Sequence, residues 1–122
     1  MKIVAIIPAR GGSKRIPRKN IRSFNGLPMI AWSIESAIKS GCFDRVIVST
    51  DDQEIAQIAD SYGAEIPFIR PASISDDHST SSDVMAHAIN HEASHGRYID
   101  FACCIYPTSP FIKSIERSRN AA

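Results

Sequence analysis

Apolar residues recur along the chain with two different periods, and their alternation predicts the fold. Lys2 to Pro8 (KIVAIIP) is a continuous apolar run rich in Val and Ile and closed by a proline, the pattern of a strand buried on both faces. Pro28 stands where helices begin, and Met29, Ile30, Ser33, Ile34, Ala37 and Ile38 then share one helical face until Gly41 supplies a stop. Arg45 to Ser49 (RVIVS) reads as a second buried strand. Asp51 or Asp52 can cap the helix that follows, in which Ile55, Ile58, Ala59 and Tyr62 repeat at helical spacing before Gly63. Glu65 to Ile69 predicts a third short strand, closed by Arg70-Pro71. The Ser- and Asp-rich stretch Ala72 to Ser82 predicts a loop ending in helix caps. Val84, Met85, Ala88, Ile89 and Ala93 form the apolar side of a third helix stopped by Gly96, and Phe101 to Ile105 is a fourth strand broken by YPTSP at Tyr106 to Pro110.

Strands alternating with helices predict an α/β fold: three layers, a mostly parallel sheet with helices on both faces, joined by right-handed crossovers. Ligands of such sheets collect at the carboxyl ends of the strands. That rule draws residues 8–20, 49–52, 70–82 and 106–110 together. No internal repeat or low-complexity linker interrupts the alternation.

With 122 residues the chain has the length of one domain, able to bury about 65% of its unfolded surface. No stretch approaches the ~20 apolar residues of a membrane span, and Met1 to Pro8 lacks a signal-peptide pattern, so the expected location is the cytoplasm, with no membrane partner. The three cysteines, Cys42, Cys103 and Cys104, have none of the spacings that build zinc or redox sites, and are expected to be buried free thiols.

Charge changes the picture more. The net charge of +1 conceals seven basic residues and no acid before Glu35, leaving seven basic against all thirteen acidic residues in the remainder. Cations concentrated in one loop suit a small anion better than a nucleic acid, whose binders need a wide basic face. The loop is IIPARGGSKRIPRKN, from Ile6 to Asn20. Gly11, Gly12 and Ser13 offer successive backbone N–H groups to a phosphate, Arg10 can make a two-pronged contact, and Lys14 and Lys19 act as point charges. The order Gly-Gly-Ser-Lys fits neither the Walker A loop nor the dinucleotide fingerprint. Charge alone would equally describe a solvated basic turn; the double glycine directly after a buried strand favours polyphosphate binding.

IIPARGGSKRIPRKN resembles the signature loop of the CMP-sialic acid synthetase (acylneuraminate cytidylyltransferase) family, which transfers CMP from CTP to a nonulosonic sugar acid. LPMIAWSIESA, VIVSTDDQEIA, YGAEIPFIRPA and PTSPF resemble further family segments, so that the likeness covers residues 1–113 as a nucleotide-binding core. Phe68 to Pro71 together with Tyr106 to Pro110 most resembles the pseudaminic acid cytidylyltransferases; sialic acid members commonly carry Gln where this chain has Tyr106. The resemblance implies a Rossmann-like nucleotidyltransferase fold in which Arg10 and Lys19 are catalytic. It implies that Ala9, Gly11, Gly12, Ser13 and Lys14 hold the triphosphate, with Asn20 near the α-phosphate and nucleoside. Arg70 would read the cytosine edge, and Ser79 and Ser81 would lie beside base and ribose. A guanidinium can donate to the carbonyl and ring nitrogen of cytosine, whereas uracil has an N–H at that ring position. The alternative for Arg70 is an ion pair with Asp76 or Asp77, the weaker of the two readings. Tyr106 would face the sugar, or else is only an aromatic residue at a strand end.

The family is about twice this length, and the resemblance places its magnesium ligands, part of the sugar site and its homodimer contacts beyond residue 122. The tail SIERSRNAA at 114–122 departs from the family pattern, as in a shortened form whose open sheet edge would favour association. Two further patterns invite metal assignments. His91-Glu92-Ala93-Ser94-His95 matches H-E-x-x-H, with His87 one turn earlier, but Gly96 breaks the helix and a solvated amphipathic face accounts for it. Asp51-Asp52 and Asp76-Asp77 read as helix caps or turns. The alternatives to a pseudaminic acid enzyme are a cytidylyltransferase for sialic or legionaminic acid, a CTP-binding remnant without turnover, and last a nucleic-acid module, for which the loop has few aromatic residues.

Overall fold

A computed structural model describes residues 1–9, 23–24, 26–75 and 80–107. Its organising element is β1 (Ile3–Pro8), whose six residues lie at the centre of a three-stranded parallel sheet. On one side β1 pairs with β4 (Arg45–Ser49), from Val4 against Arg45 to Pro8 against Ser49; on the other it pairs with β5 (Phe101–Cys104), from Ile3 against Phe101 to Ile6 against Cys104. Two short strands between them, β2 (Ser23–Phe24) and β3 (Leu27–Pro28), form an antiparallel pair turned at Gly26, whose φ of 88° suits glycine.

The continuous apolar pattern of β1 follows from its place. Ala5, Ile7 and Ala9 point to one face, where they meet Ile30, Ile34 and Ala37 of α1 (Met29–Ser40) and Ile55 and Ala59 of α2 (Gln53–Ser61). Val4 and Ile6 point to the other, with Ile47, Ala88, Met85 and Ile89, the last three on α3 (Ser81–Ser94). Helices thus cover both faces, as expected of a crossover α/β sheet. Burying each such aliphatic side chain contributes about 1.5–3 kcal/mol.

Local chemistry sets the helix limits. α1 begins directly after Pro28 and ends at Gly41 in the left-handed conformation, φ 68°, with its N–H donating to the Ile38 carbonyl at 3.3 Å. Of the two candidate caps for α2, Asp52 is the one used: its carboxylate accepts from the N–H groups of Glu54 and Ile55 at 2.8 and 3.1 Å. α3 starts at Ser81 and takes the last two residues of the predicted loop. Thr80 and Asp83 form a reciprocal capping box there, each side chain accepting from the other's backbone N–H at 3.1 and 3.0 Å.

Three expectations need correction. Glu65–Ile69 is not a full strand: Glu65 bridges Ile47, and Val48 and Glu65 donate to Glu65 and Val46 carbonyls, but the ladder then stops. Pro67 has no N–H to continue it. Ile38, placed on the buried face of α1, is 48% exposed. No disulfide joins the three cysteines, yet Cys42 is exposed just after Gly41, and Cys103 and Cys104 are only half-buried on β5.

Candidate functional site

The carboxyl ends of the strands converge at residues fixed by main-chain bonds. Ala9, fully buried, donates its N–H to the Ser49 carbonyl at 2.9 Å, carrying the β1–β4 ladder to the last described residue before the Gly-Gly loop. One residue along, the Thr50 carbonyl accepts from the Arg70 N–H at 2.8 Å. The Thr50 hydroxyl accepts from the Asp52 N–H at 3.1 Å, joining the α2 cap to the same edge. Arg70 therefore stands at the strand mouth beside the origin of the basic loop, and the residue is 4% exposed. Ser75 folds the chain back beyond it, its hydroxyl donating to the Pro71 carbonyl at 2.7 Å.

Burial of an arginine at a strand mouth is costly unless its charge is used. Two residues before it, Phe68 meets His87 of α3 edge-to-face, ring centroids 4.6 Å apart at 88°, and the tilted ring of His91 at 4.9 Å. Burial, then the neighbouring His91, then the Arg70 charge hold the His87 imidazole below its ordinary pKa, so it is neutral at pH 7. The hydroxyls of Ser33 and Ser49 are buried with no hydrogen-bond partner among the described residues.

On the β5 side the Ile105 N–H donates to the Ile6 carbonyl at 3.0 Å, and Tyr106 follows, 49% exposed at the end of the strand. Partial burial, and secondarily the Cys104 thiol, push the Tyr106 phenol above its ordinary value. It is a neutral hydroxyl at pH 7, able to donate and accept. Ser81 is exposed as the first residue of α3. Of the residues assigned to the site from sequence, Ala9, Arg70, Ser81 and Tyr106 all lie beyond the carboxyl ends of strands or at the start of α3. Arg10, Gly11, Gly12, Ser13, Lys14, Lys19, Asn20 and Ser79 lie outside the described residues, as do Asp76 and Asp77, so the ion-pair alternative for Arg70 does too.

The H-E-x-x-H stretch proves to be something other than a solvated face. Glu92 is fully buried at the opposite, amino-terminal edge of the sheet. Its carboxylate accepts from Arg97 Nε and Nη2 at 3.0 and 2.9 Å and forms an ion pair with Arg45, the first residue of β4, which also binds Glu65. The guanidinium of Arg97, outweighing burial, and then that of Arg45 hold the Glu92 carboxyl at about 2. His91 Nδ1 lies 3.2 Å from the same carboxylate, and the His91 and His95 rings stack at 4.4 Å. The periodicity of α3 pointed to this: Glu92 follows Ala88 by four residues on the buried face, but the partners that neutralise it come from other elements.

Comparison with known proteins agrees with this architecture. The chain is 51% identical over 112 residues to the pseudaminic acid cytidylyltransferase of Campylobacter jejuni, covering 92% of this chain and 48% of that protein. It is 39% identical over 113 residues to the CMP-N,N'-diacetyllegionaminic acid synthase of Legionella pneumophila, covering 93% and 49%. The fold superposes on CMP:2-keto-3-deoxy-manno-octonic acid synthetase complexed with CTP with a TM-score of 0.77 and 26% identity, over 98% of this chain and 45% of that one. The chain thus spans about half the length of the curated relatives it matches. With residues 4–120 matching the family described as cytidylyltransferase, the chain belongs to the cytidylyltransferase family.

Proposed function

We propose that the chain forms the nucleotide-binding half of an enzyme that transfers CMP from CTP to a nonulosonic sugar acid, pseudaminic acid, for surface glycan or flagellin glycosylation. The observation that carries the reading is Arg70, a residue 4% exposed and fixed through its backbone at the strand mouth, next to the start of the Gly-Gly-Ser-Lys loop. Similarity to the Campylobacter jejuni and Legionella pneumophila proteins supports the sugar-acid class. In this reading Arg70 donates to the cytosine edge, with Ser79 and Ser81 near base and ribose. Ala9, Gly11, Gly12, Ser13 and Lys14 hold the triphosphate, Asn20 lies near the α-phosphate, and Tyr106 presents its neutral hydroxyl to the sugar.

The anomeric oxygen attacks the α-phosphorus in line, a P–O bond to that oxygen forms as the bond to pyrophosphate breaks, and the hydroxyl proton leaves to solvent or base. Lys19 and Arg10 meet the charge that grows on the α- and leaving-phosphate oxygens. No group of three His, Cys, Asp or Glu side chains among the described residues is placed to hold a metal ion. The family resemblance assigns the magnesium of the reading to donors in the family's C-terminal half, and no step above passes through it. No described helix is long and apolar enough to cross a membrane; the reading places the enzyme in the cytoplasm and pairs it as a homodimer.

Pyrophosphate release with CTP, magnesium and a panel of sugar acids tests the reading, with pseudaminic acid preferred over sialic and legionaminic acids. CTP binding without pyrophosphate release under any condition would support the nucleotide site and refute turnover by this chain. In an active form, Lys19→Ala should lower kcat about a hundredfold, roughly 3 kcal/mol, with a smaller change in CTP affinity. An unchanged kcat would refute its role.

A further inference from the structure

The two histidines of the H-E-x-x-H stretch, His91 and His95, stand one turn apart at the end of α3, their ring centroids 4.4 Å apart and their planes tilted by 29°. The backbone beneath them is fixed. The N–H groups of His95 and Arg97 donate to the Glu92 carbonyl at 3.1 and 2.8 Å, and that of Gly96, at a φ of 76°, donates to the Ala93 carbonyl at 3.0 Å. Each ring is held by one nitrogen: His91 Nδ1 lies 3.2 Å from Glu92 Oε2, and His95 Nδ1 lies 2.8 Å from the His91 carbonyl oxygen.

Those contacts decide the tautomers. A carbonyl oxygen only accepts, so His95 Nδ1 carries a proton and donates it. The Glu92 carboxylate, paired with Arg97 and Arg45, is ionised and also only accepts, so His91 Nδ1 donates too. In both neutral rings the lone pair is therefore on Nε2. An imidazole whose other N–H is taken up by a carboxylate or a main-chain carbonyl is the arrangement that backs metal-bound histidines, fixing the ring and raising the basicity of the ligating nitrogen. Glu92 itself is neither a ligand nor the base of a zinc hydrolase, because Arg97, Arg45 and His91 occupy its two oxygens. Glu65 and Glu92 balance the charges of Arg45 and Arg97, so no excess of positive charge opposes a cation within this cluster. His87 is not a third member: its ring lies 6.4 Å from that of His91 and edge-on to Phe68, with its Nδ1 buried.

We propose that His91 and His95 bind one divalent transition ion of the zinc, nickel or copper class through their Nε2 atoms, with water in the remaining positions. Imidazole suits these ions, whereas magnesium and calcium prefer oxygen donors. Two nitrogens on one tetrahedral zinc, each about 2 Å from the ion, lie about 3.3 Å apart. The ring centroids are separated by 4.4 Å, and His95, exposed at the helix end, can adjust by the difference. The bound ion ties together the last turn of α3. The inference does not rest on the nucleotide reading, since the pair lies beside Glu92 at the amino-terminal edge of the sheet.

Zinc titration of the full chain at neutral pH, followed by calorimetry and by NMR of the histidine ring nitrogens, tests it. One zinc ion should bind per chain, shifting the Nε2 resonances of His91 and His95 while their Nδ1 atoms stay protonated. His91→Ala and His95→Ala should each weaken binding by about tenfold or more, and His87→Ala should leave it unchanged. Glu92→Gln should also weaken it about tenfold, because an amide replaces the carboxylate behind His91. His95→Ala changes an exposed position, so it decides the matter even if the Glu92 variant fails to fold. No binding at millimolar zinc, an unchanged affinity in His95→Ala, or an equal loss in His87→Ala would overturn the proposal. So would zinc bound with both rings unshifted, which would place it on the thiols, or coordination through Nδ1.

Discussion

Replacing Glu92 by Gln keeps the shape of the buried side chain and removes its charge, leaving Arg45 and Arg97 facing a neutral amide. Two routes give the size of the effect. The carboxyl is held at about 2 against an ordinary 4.5, and at about 1.4 kcal/mol per pH unit this corresponds to roughly 3 kcal/mol of stability at neutral pH. Removing one partner of a buried ion pair costs about 3–5 kcal/mol, and the lower end applies here because Arg45 keeps Glu65 and the Arg97 side chain is 46% exposed. Urea denaturation at pH 7 should therefore show a loss of about 3 kcal/mol, and Tm should fall by roughly 12 °C for a domain of this size. The sign of the pH dependence follows from the lowered carboxyl. The unfolded chain takes up the proton near 4.5 and the folded one only near 2, so the stability contributed by Glu92 is complete above 4.5 and is lost as pH falls toward 2. Glu92→Gln should be less stable at pH 7 yet show a flatter decline over that window. A loss below 1 kcal/mol at pH 7, or an acid limb as steep as in the unchanged protein, would refute the role assigned to the carboxylate.

Two further substitutions probe the helix ends. Asp52→Ala should cost about 1 kcal/mol, seen as a lower urea midpoint, because two N–H groups at the start of α2 lose their acceptor; Asp52→Asn should retain most of it. Gly63→Ala should destabilise by about 1 kcal/mol or more, since φ there is 100° and an added Cβ would lie 3.2 Å from Ile38 Cδ1. Thermal denaturation of the Gly63→Ala, Ile38→Ala double variant should still show a penalty in excess of Ile38→Ala alone, because the backbone conformation is unfavourable whatever the neighbour.

The elements that declared themselves in the sequence are those whose signals are local. β1, β4 and α1 combine an unbroken apolar pattern with a proline or glycine at their ends, and such signals need no knowledge of the partners. The parts that did not declare themselves depend on distant residues. Glu92 looks like a surface glutamate until Arg45 and Arg97 arrive from other elements to neutralise it. The segment after Glu65 has strand composition, but Pro67 withholds the N–H that a ladder requires. Cys103 and Cys104 read as core thiols and are half-exposed, because β5 has β1 as its neighbour on one side and no second described strand on the other. Arg70 is singled out by the family likeness, and its burial is seen only in the structure. The contact of Phe68 with His87 arises where a loop meets a helix, and no spacing rule encodes that meeting.

The strand order β4-β1-β5 also bears on how the chain assembles. The middle strand is the first to leave the ribosome, and its two neighbours follow at very different distances: the Ile3 N–H reaches Asp44 across 41 residues, whereas the Lys2 N–H reaches Asp100 across 98. In an open chain the longer closure costs only about 0.8 kcal/mol more than the shorter, but it cannot begin until almost the whole described chain exists. β1 and β4 are therefore expected to pair first, with α1 folded over them. One edge of β1 then stays open until β5 docks last and sets the final position of Tyr106.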